Sequence, residues 1–210
     1  MNTKVKICGI TEPESLRVTI ESGADFIGFV FYDPSTRNIT PQNAAPLIAS
    51  IPSHIASVAL FVNPTDEQLE MTLSVARTDY IQLHGSEDPT RVKTIKSRFN
   101  IPVIKAIGIA SEEDIALART YEDTADWLLF DTKSPNHGGT GQSFDWALLQ
   151  NKSFTKPVML SGGLHADNVK DAMRQVSPNG IDVSSGVESS PGIKDVLKIT
   201  NFIKEVKSNG

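Results

Sequence analysis

The sequence predicts an α/β chain folded as a (β/α)8, or TIM, barrel, with residues 1–210 forming a single domain around one parallel eight-stranded barrel. Three observations predict it. Short aliphatic and β-branched runs recur eight times, each followed by a segment of helical length, the pattern of parallel strands joined by crossover helices. Most of these runs are apolar at nearly every position, as strands covered on both faces are. No linker or low-complexity stretch divides the chain, and eight regular units favour closure over an open doubly wound sheet. A chain of 210 residues is short for such a barrel, where about 250 is usual and about 200 is tolerated, so the loops must be lean.

In chain order the strands are V-K-I-C (5–8), F-I-G-F-V-F (26–31), S-V-A-L-F-V (57–62), Y-I-Q-L-H (80–84), V-I-K-A-I (103–107), W-L-L-F-D (127–131), V-M-L-S (158–161) and I-D-V-S (181–184). Thr11-Glu12-Pro13-Glu14 offers an N-cap, early acids and an early proline to the first helix, and Thr65-Asp66-Glu67 and Ser111-Glu112-Glu113 repeat that signal. Gly23 reads as a helix stop, and Pro102 and Pro157 stand before strands five and seven, where they cannot extend a helix. The acids Glu12, Glu14 and Glu21 read as an exposed helix face.

A net charge of −5 and a pI near 5.4 argue against nucleic acid or an anionic membrane as partner, so an anionic substrate needs local positive groups. One cysteine excludes an intramolecular disulfide and a cysteine zinc cluster. The start M-N-T-K-V-K-I-C has no apolar signal core, and no stretch approaches about 18 apolar residues. The expectation is a cytoplasmic protein, a monomer or a homodimer. The four histidines, His54, His84, His137 and His165, show no i,i+4 pairing and no acidic cluster with ligand spacing, so no metal is expected.

In barrels of this type, chemistry sits at the carboxyl ends of the strands. Strand one ends in Cys8, which precedes Gly9 in a turn that lets backbone approach a ligand. Cysteine is often simply buried, but at the rim a thiol whose pKa is lowered by dipoles or cations serves as a base. Asp131 follows four apolar residues at the end of strand six. A loop or cap aspartate is the plain reading; a carboxyl held against apolar surface instead has its pKa raised and can deliver a proton. Strand two leads to Arg37, which can grip a carboxylate bidentately, strand three to Asn63, and strand four to Gln82 and His84, the latter a hydrogen-bonded rim residue. Loop six carries glycines at 138, 139 and 141, the composition of a cover over a small ligand. Ser161-Gly162-Gly163 after strand seven and Ser185-Gly186 after strand eight occupy the usual barrel phosphate site, where backbone N–H groups bind an anion without a lysine.

The stretches K-I-C-G-I-T, G-A-D-F-I-G-F-V-F, F-V-N, Q-L-H-G, G-G-T-G-x-x-F-D-W, L-S-G-G-L, D-V-S-S-G-V-E and P-G-I-K-D resemble the phosphoribosylanthranilate isomerase family, from Lys6 to about Phe202. The resemblance implies a cofactor-free Amadori rearrangement of a phosphorylated aminosugar, N-(5'-phosphoribosyl)anthranilate, in tryptophan biosynthesis. It implies Asp131 as the general acid that opens the furanose ring to an iminium ion, and Cys8 as the base that removes the C2' proton. It also implies Arg37 on the anthranilate carboxylate and Gly162, Gly163 and Gly186 on the phosphate, while the reading of the strand ends adds Ser185 to the phosphate site and Gln82 and His84 as substrate contacts. One departure is Thr36, where the family places a proline before the arginine; the cation is kept and only loop rigidity is affected. Two rivals stand beside this reading. An aminoaldose isomerase of histidine biosynthesis resembles a doubled half-barrel with two phosphate sites and an aspartate on strand one. Here V-N-P-T-D and L-H-G-S-E, after strands three and four, lack a glycine pair, and strand one carries Cys8. A silent phosphosugar-binding barrel would not need both the acid and the thiol.

Overall fold

A computed structural model describes residues 3–133 and 143–208. The glycines of loop six, at 138, 139 and 141, and His137 lie outside the described residues. Eight strands close in chain order: β1 Lys4–Cys8, β2 Phe26–Val30, β3 Ala56–Phe61, β4 Tyr80–Leu83, β5 Val103–Ile109, β6 Trp127–Thr132, β7 Val158–Leu160 and β8 Gly180–Val183. Every neighbouring pair is parallel, and β1 seals against β8 from Lys4 opposite Gly180 to Ile7 opposite Val183. The eight sequence runs therefore lie on the eight barrel strands, with ends shifted by one or two residues. Ser161, His84 and Ser184 fall just beyond their strands, in the loops that form the rim.

The alternation within each strand builds two cores. One set of side chains fills the barrel: Phe26, Val58, Ile104, Ala106, Leu129 and Met159 form its lower layers, and Cys8, Val30 and Leu60 its upper layer. The other set faces outward and buries against the helices. At the base, Phe26 meets Tyr80 and Trp127 edge-on, with centroids 5.6 and 5.7 Å apart, the geometry that ring quadrupoles favour.

The helices are α1 Pro13–Glu21, α2 Pro41–Ala49, α3 Asp66–Val75, α4 Pro89–Phe99, α5 Glu112–Arg119, α6 Val169–Val176 and α7 Val196–Lys207. Thr65 and Ser111 start α3 and α5 where the sequence signals helix starts, and each forms a capping box, Thr65 with Gln68 and Ser111 with Asp114. Gly23 follows α1 at φ +88°, a conformation in which glycine is unstrained. Thr11 is not the cap of α1: Glu12 holds that position, without a side-chain bond.

Two features differ from the expected alternation. After β6 no helix of ordinary length appears among the described residues, only a 3-10 turn at Trp146–Leu149. Asp145 caps it, Asn151 at φ +59° turns the chain away, and Pro157 precedes β7, leaving room for one turn. After β8 a second short turn, Ser185–Val187, leads into a hairpin of β9 Glu188–Ser190 and β10 Ile193–Lys194 before α7. Its bend uses Pro191 and Gly192, the latter at φ +85°.

Candidate active site

β1 places Cys8 in the upper layer of the barrel interior, 4% exposed. Its carbonyl accepts from Ser184 Oγ at 3.0 Å, and the next two amides, Gly9 and Ile10, donate to the Gly28 carbonyl at 2.8 and 3.0 Å. Gly28 on β2 makes room for the thiol: a Cβ there would lie 2.9 Å from Cys8 Sγ and 3.3 Å from Lys6 Cε. Gly9, at φ +81°, lies against the stem of Arg37, whose Cδ would be 2.8 Å from a Cβ at that position. Loop one and loop two thus bring Cys8 and Arg37 to one side of the mouth.

Arg37 does hold a carboxylate bidentately, but it is an internal one. Its Nε and Nη2 donate to Glu188 Oε1 and Oε2 at 2.7 and 2.8 Å. That uses the side edge of the guanidinium and leaves the Nη1/Nη2 end edge to meet a ligand. Glu188 also accepts from Lys194 Nζ at 2.8 Å and from the Gly192 amide at 3.2 Å. Burial acts to raise the Glu188 carboxyl, but hydrogen bonds from Arg37 and Lys194 and their charges outweigh it and hold the group below its ordinary range.

On the other side the penultimate residue of β6 is Asp131, 8% exposed, whose Oδ1 accepts from the Thr132 amide at 2.7 Å. Its Oδ2 lies 3.3 Å from His84 Nε2, and His84 Nδ1 meets Gln82 Nε2 at 2.9 Å. The amide nitrogen can only donate, so in this arrangement Nδ1 accepts and a neutral His84 points its Nε2–H at Asp131. Gln82 itself has no exposed surface and reaches the site through His84, while its Oε1 is buried without a partner among the described residues. Asn63 belongs to the scaffold: its amide donates to Glu87 Oε1 at 2.7 Å, and its Oδ1 accepts from the Ser86 amide at 2.8 Å, tying loop three to loop four.

Loop seven is pressed against Asp131. Gly162, at φ +88°, would place a Cβ 3.0 Å from Asp131 Oδ1 and into collision with Thr132, so glycine is required there twice over. Gly163 follows at φ +62°, its carbonyl held by Asn168 Nδ2 at 2.9 Å. The amides of Gly162 and Gly163 donate to no acceptor among the described residues. Gly186 packs so tightly on the Leu164 carbonyl that a Cβ would collide with it, which joins the glycine turns of loops seven and eight into one surface.

Beneath Cys8 lies a charged layer that the strand reading passed over. Lys6, with no exposed surface, donates to Asp182 Oδ1 at 2.8 Å, and Ser161 Oγ lies 3.2 Å from Asp182 Oδ2. Both interrupt apolar strands, V-K-I-C and I-D-V, but neither ends its strand, so the inspection of strand ends that found Asp131 passes over them. The thiol is not lowered as expected. Burial pushes Cys8 up, Lys6 draws it down, Asp182 raises it, Lys194 lowers it, and the balance stays above the ordinary value.

The profile of the N-(5'phosphoribosyl)anthranilate (PRA) isomerase family matches residues 5–205. The N-(5'-phosphoribosyl)anthranilate isomerase of Paracoccus denitrificans is 46% identical over 97% of this chain and 96% of its own length, and that of Paramagnetospirillum magneticum 45% identical over 99% and 98%. Among solved structures, the phosphoribosyl anthranilate isomerase of Thermotoga maritima superposes with a TM-score of 0.90 at 41% identity, covering 98% of this chain and 99% of that one. A phosphoribosyl anthranilate isomerase solved in complex with reduced 1-(o-carboxyphenylamino)-1-deoxyribulose 5-phosphate superposes at 0.86, with 38% identity and coverage of 98% and 99%.

Proposed function

Because the chain belongs to the N-(5'-phosphoribosyl)anthranilate isomerase family, we propose that Cys8 and Asp131 are the base and acid of that isomerisation. The reaction is the Amadori rearrangement of N-(5'-phosphoribosyl)anthranilate to 1-(2-carboxyphenylamino)-1-deoxyribulose 5-phosphate, in L-tryptophan biosynthesis. Asp131 donates its proton to the furanose ring oxygen, the C1'–O bond breaks, and the aniline nitrogen supplies the electron pair that forms the iminium. The Cys8 thiolate then takes the proton from C2', and that C–H pair flows into the iminium to give an enolamine. The enolamine loses its O–H proton and gains one at C1' to become the ketone; solvent takes the proton from Cys8 and restores Asp131. The iminium is the electron sink.

Arg37 offers its free guanidinium edge to the anthranilate carboxylate. The amides of Gly162 and Gly163, with the turn at Ser185 and Gly186, receive the phosphate, the group that the complexed relative's ligand also carries. Gln82 and His84 act at the Asp131 side, His84 in contact with the acid and Gln82 behind it.

The observation that carries this reading is the pairing of opposite sides of one mouth: the Cys8 turn packs on Arg37 through Gly9, and Asp131 packs on the glycine turn of loop seven through Gly162. The test is the fluorescence decay of phosphoribosylanthranilate generated in situ, with wild type, Cys8→Ala and Asp131→Asn side by side. Each variant is expected to lose more than about a hundredfold in rate. Activity in all three would keep the substrate and end the residue assignment; inactivity in all three would point to the histidine-pathway substrate or a silent binder.

A further inference from the structure

We propose that Lys6 is the positioning residue for Cys8: its ammonium, held under the thiol by Asp182, is the buried counter-ion against which the thiolate forms. This rests on the reading of Cys8 as base. Lys6 and Cys8 are two residues apart on β1, so both side chains enter the barrel, and one face of Gly28 touches Sγ and Lys6 Cε together. The ammonium cannot move away, because Asp182 on β8 binds it at 2.8 Å, Ser161 approaches the other carboxylate oxygen at 3.2 Å, and none of it reaches solvent.

An unpaired lysine in such a layer would lose its proton, and an unpaired aspartate would gain one. Together they form a neutral pair beneath the thiol. When Cys8 ionises, Lys6 is the cation that burial cannot screen. The charged groups acting on the thiol are Lys6 on its own strand, Asp182 on β8 and Lys194 on β10, whereas β2 presents only Gly28. Lys194 is committed to Glu188 at 2.8 Å and to the Ser184 carbonyl at 3.0 Å. That leaves Lys6 as the cation whose partner shares the cavity with the thiol. Burial acts to lower Lys6, but Asp182 and Cys8 raise it further, so it remains charged.

Because Cys8 is the only cysteine, the ultraviolet absorbance of the thiolate, with Cys8→Ala subtracted, reports this one group. Lys6→Gln keeps a donor for Asp182 and removes the charge. It is expected to move the thiolate midpoint up by about one pH unit and lower kcat near neutrality about tenfold, with KM changed less than about twofold. The ascending limb of the rate against pH should move with it, and Lys6→Arg should restore most of the wild-type midpoint. Should Lys6→Gln fail to fold, Asp182→Asn makes the thiolate the nearest anion to Lys6, and its midpoint is expected to fall. A Cys8 titration unchanged in the folded variant overturns the proposal. The two readings separate cleanly: full activity in Cys8→Ala ends the base assignment while leaving the titration shift standing, and an inactive Cys8→Ala with an unmoved titration ends only the role of Lys6.

Discussion

Arg37 and Glu188 are 151 residues apart in the chain and form a two-point ion pair at 2.7 and 2.8 Å that locks loop two to the hairpin after β8. Thr36 adds to the lock, since Gly192 lies so close to its carbonyl that a Cβ would collide with it. The hairpin therefore aims the guanidinium, fixing its side edge and presenting its end edge. Glu188→Gln is expected to raise KM about tenfold with a smaller change in kcat. It should also cost about 3 kcal/mol in stability, because Lys194 and Arg37 lose a carboxylate that is 4% exposed. Steady-state kinetics with urea melts measure both; an unchanged KM would show that the hairpin does not set the pose of Arg37.

Gly162 permits no side chain. Gly162→Ala forces a Cβ onto Thr132 and to 3.0 Å from Asp131 Oδ1 at a φ that L residues rarely adopt. The expected result is a loss of kcat of at least about a hundredfold, since a small misplacement of an acid at its reacting atom is costly. A Gly163→Ala control, at φ +62° and further from Asp131 in the chain, should lose less. Equal losses in the two would mean that the damage comes from strain in the loop and not from displacement of Asp131.

The barrel was legible because strand periodicity and strand burial are local properties: V-K-I-C, W-L-L-F-D and their counterparts announce themselves within five residues. Cys8, Asp131 and the two glycine turns were equally local, each a polar or flexible break at the end of an apolar run. Glu188 was not, because the meaning of a loop carboxylate depends on which loop lies opposite, and Arg37 is 151 positions away. Lys6 and Asp182 were missed because inspection stopped at the strand ends, whereas these two sit below the rim, where a charge is tolerated only through a partner on another strand. Among the described residues the helix expected after β6 is only a single turn, bounded by Asn151 at positive φ and by Pro157.

His84 links Asp131 to Gln82. With the Gln82 nitrogen donating, the Nε2–H of His84 faces an ionised Asp131; if the amide turns over, its oxygen accepts from Nδ1–H and Nε2 becomes the acceptor for a protonated Asp131. Either arrangement leaves one end of the Gln82 amide buried without a partner among the described residues, Oε1 in the first and the amide nitrogen in the second, so the pair can exchange and follow the protonation of Asp131. His84→Ala is expected to lower kcat about tenfold with KM nearly unchanged, and Gln82→Met should lower it by less, in the same direction. A rise in KM alone would reassign both residues to direct binding of substrate.

Asp25 gives a pH prediction that is independent of catalysis. Its carboxylate accepts from Lys207 Nζ at 2.6 Å, Lys4 Nζ at 2.8 Å and the Val5 amide at 2.9 Å, joining the start of β1 to the end of α7. Burial acts to raise its pKa, but the bonds from Lys207, Lys4 and Val5 together hold it below the ordinary 3.8. The native state thus binds fewer protons than the unfolded chain in acid. The stabilisation is fully present above pH 3.8 and is lost as pH falls through the lower, folded value. Asp25→Asn lacks that dependence. Urea melts should show the wild type ahead by about 1 kcal/mol at neutral pH, a modest figure because the lysines are partly solvated, with the gap closing in strong acid. A gap that stays the same at both pH values would mean that Asp25 acts by shape and not by charge.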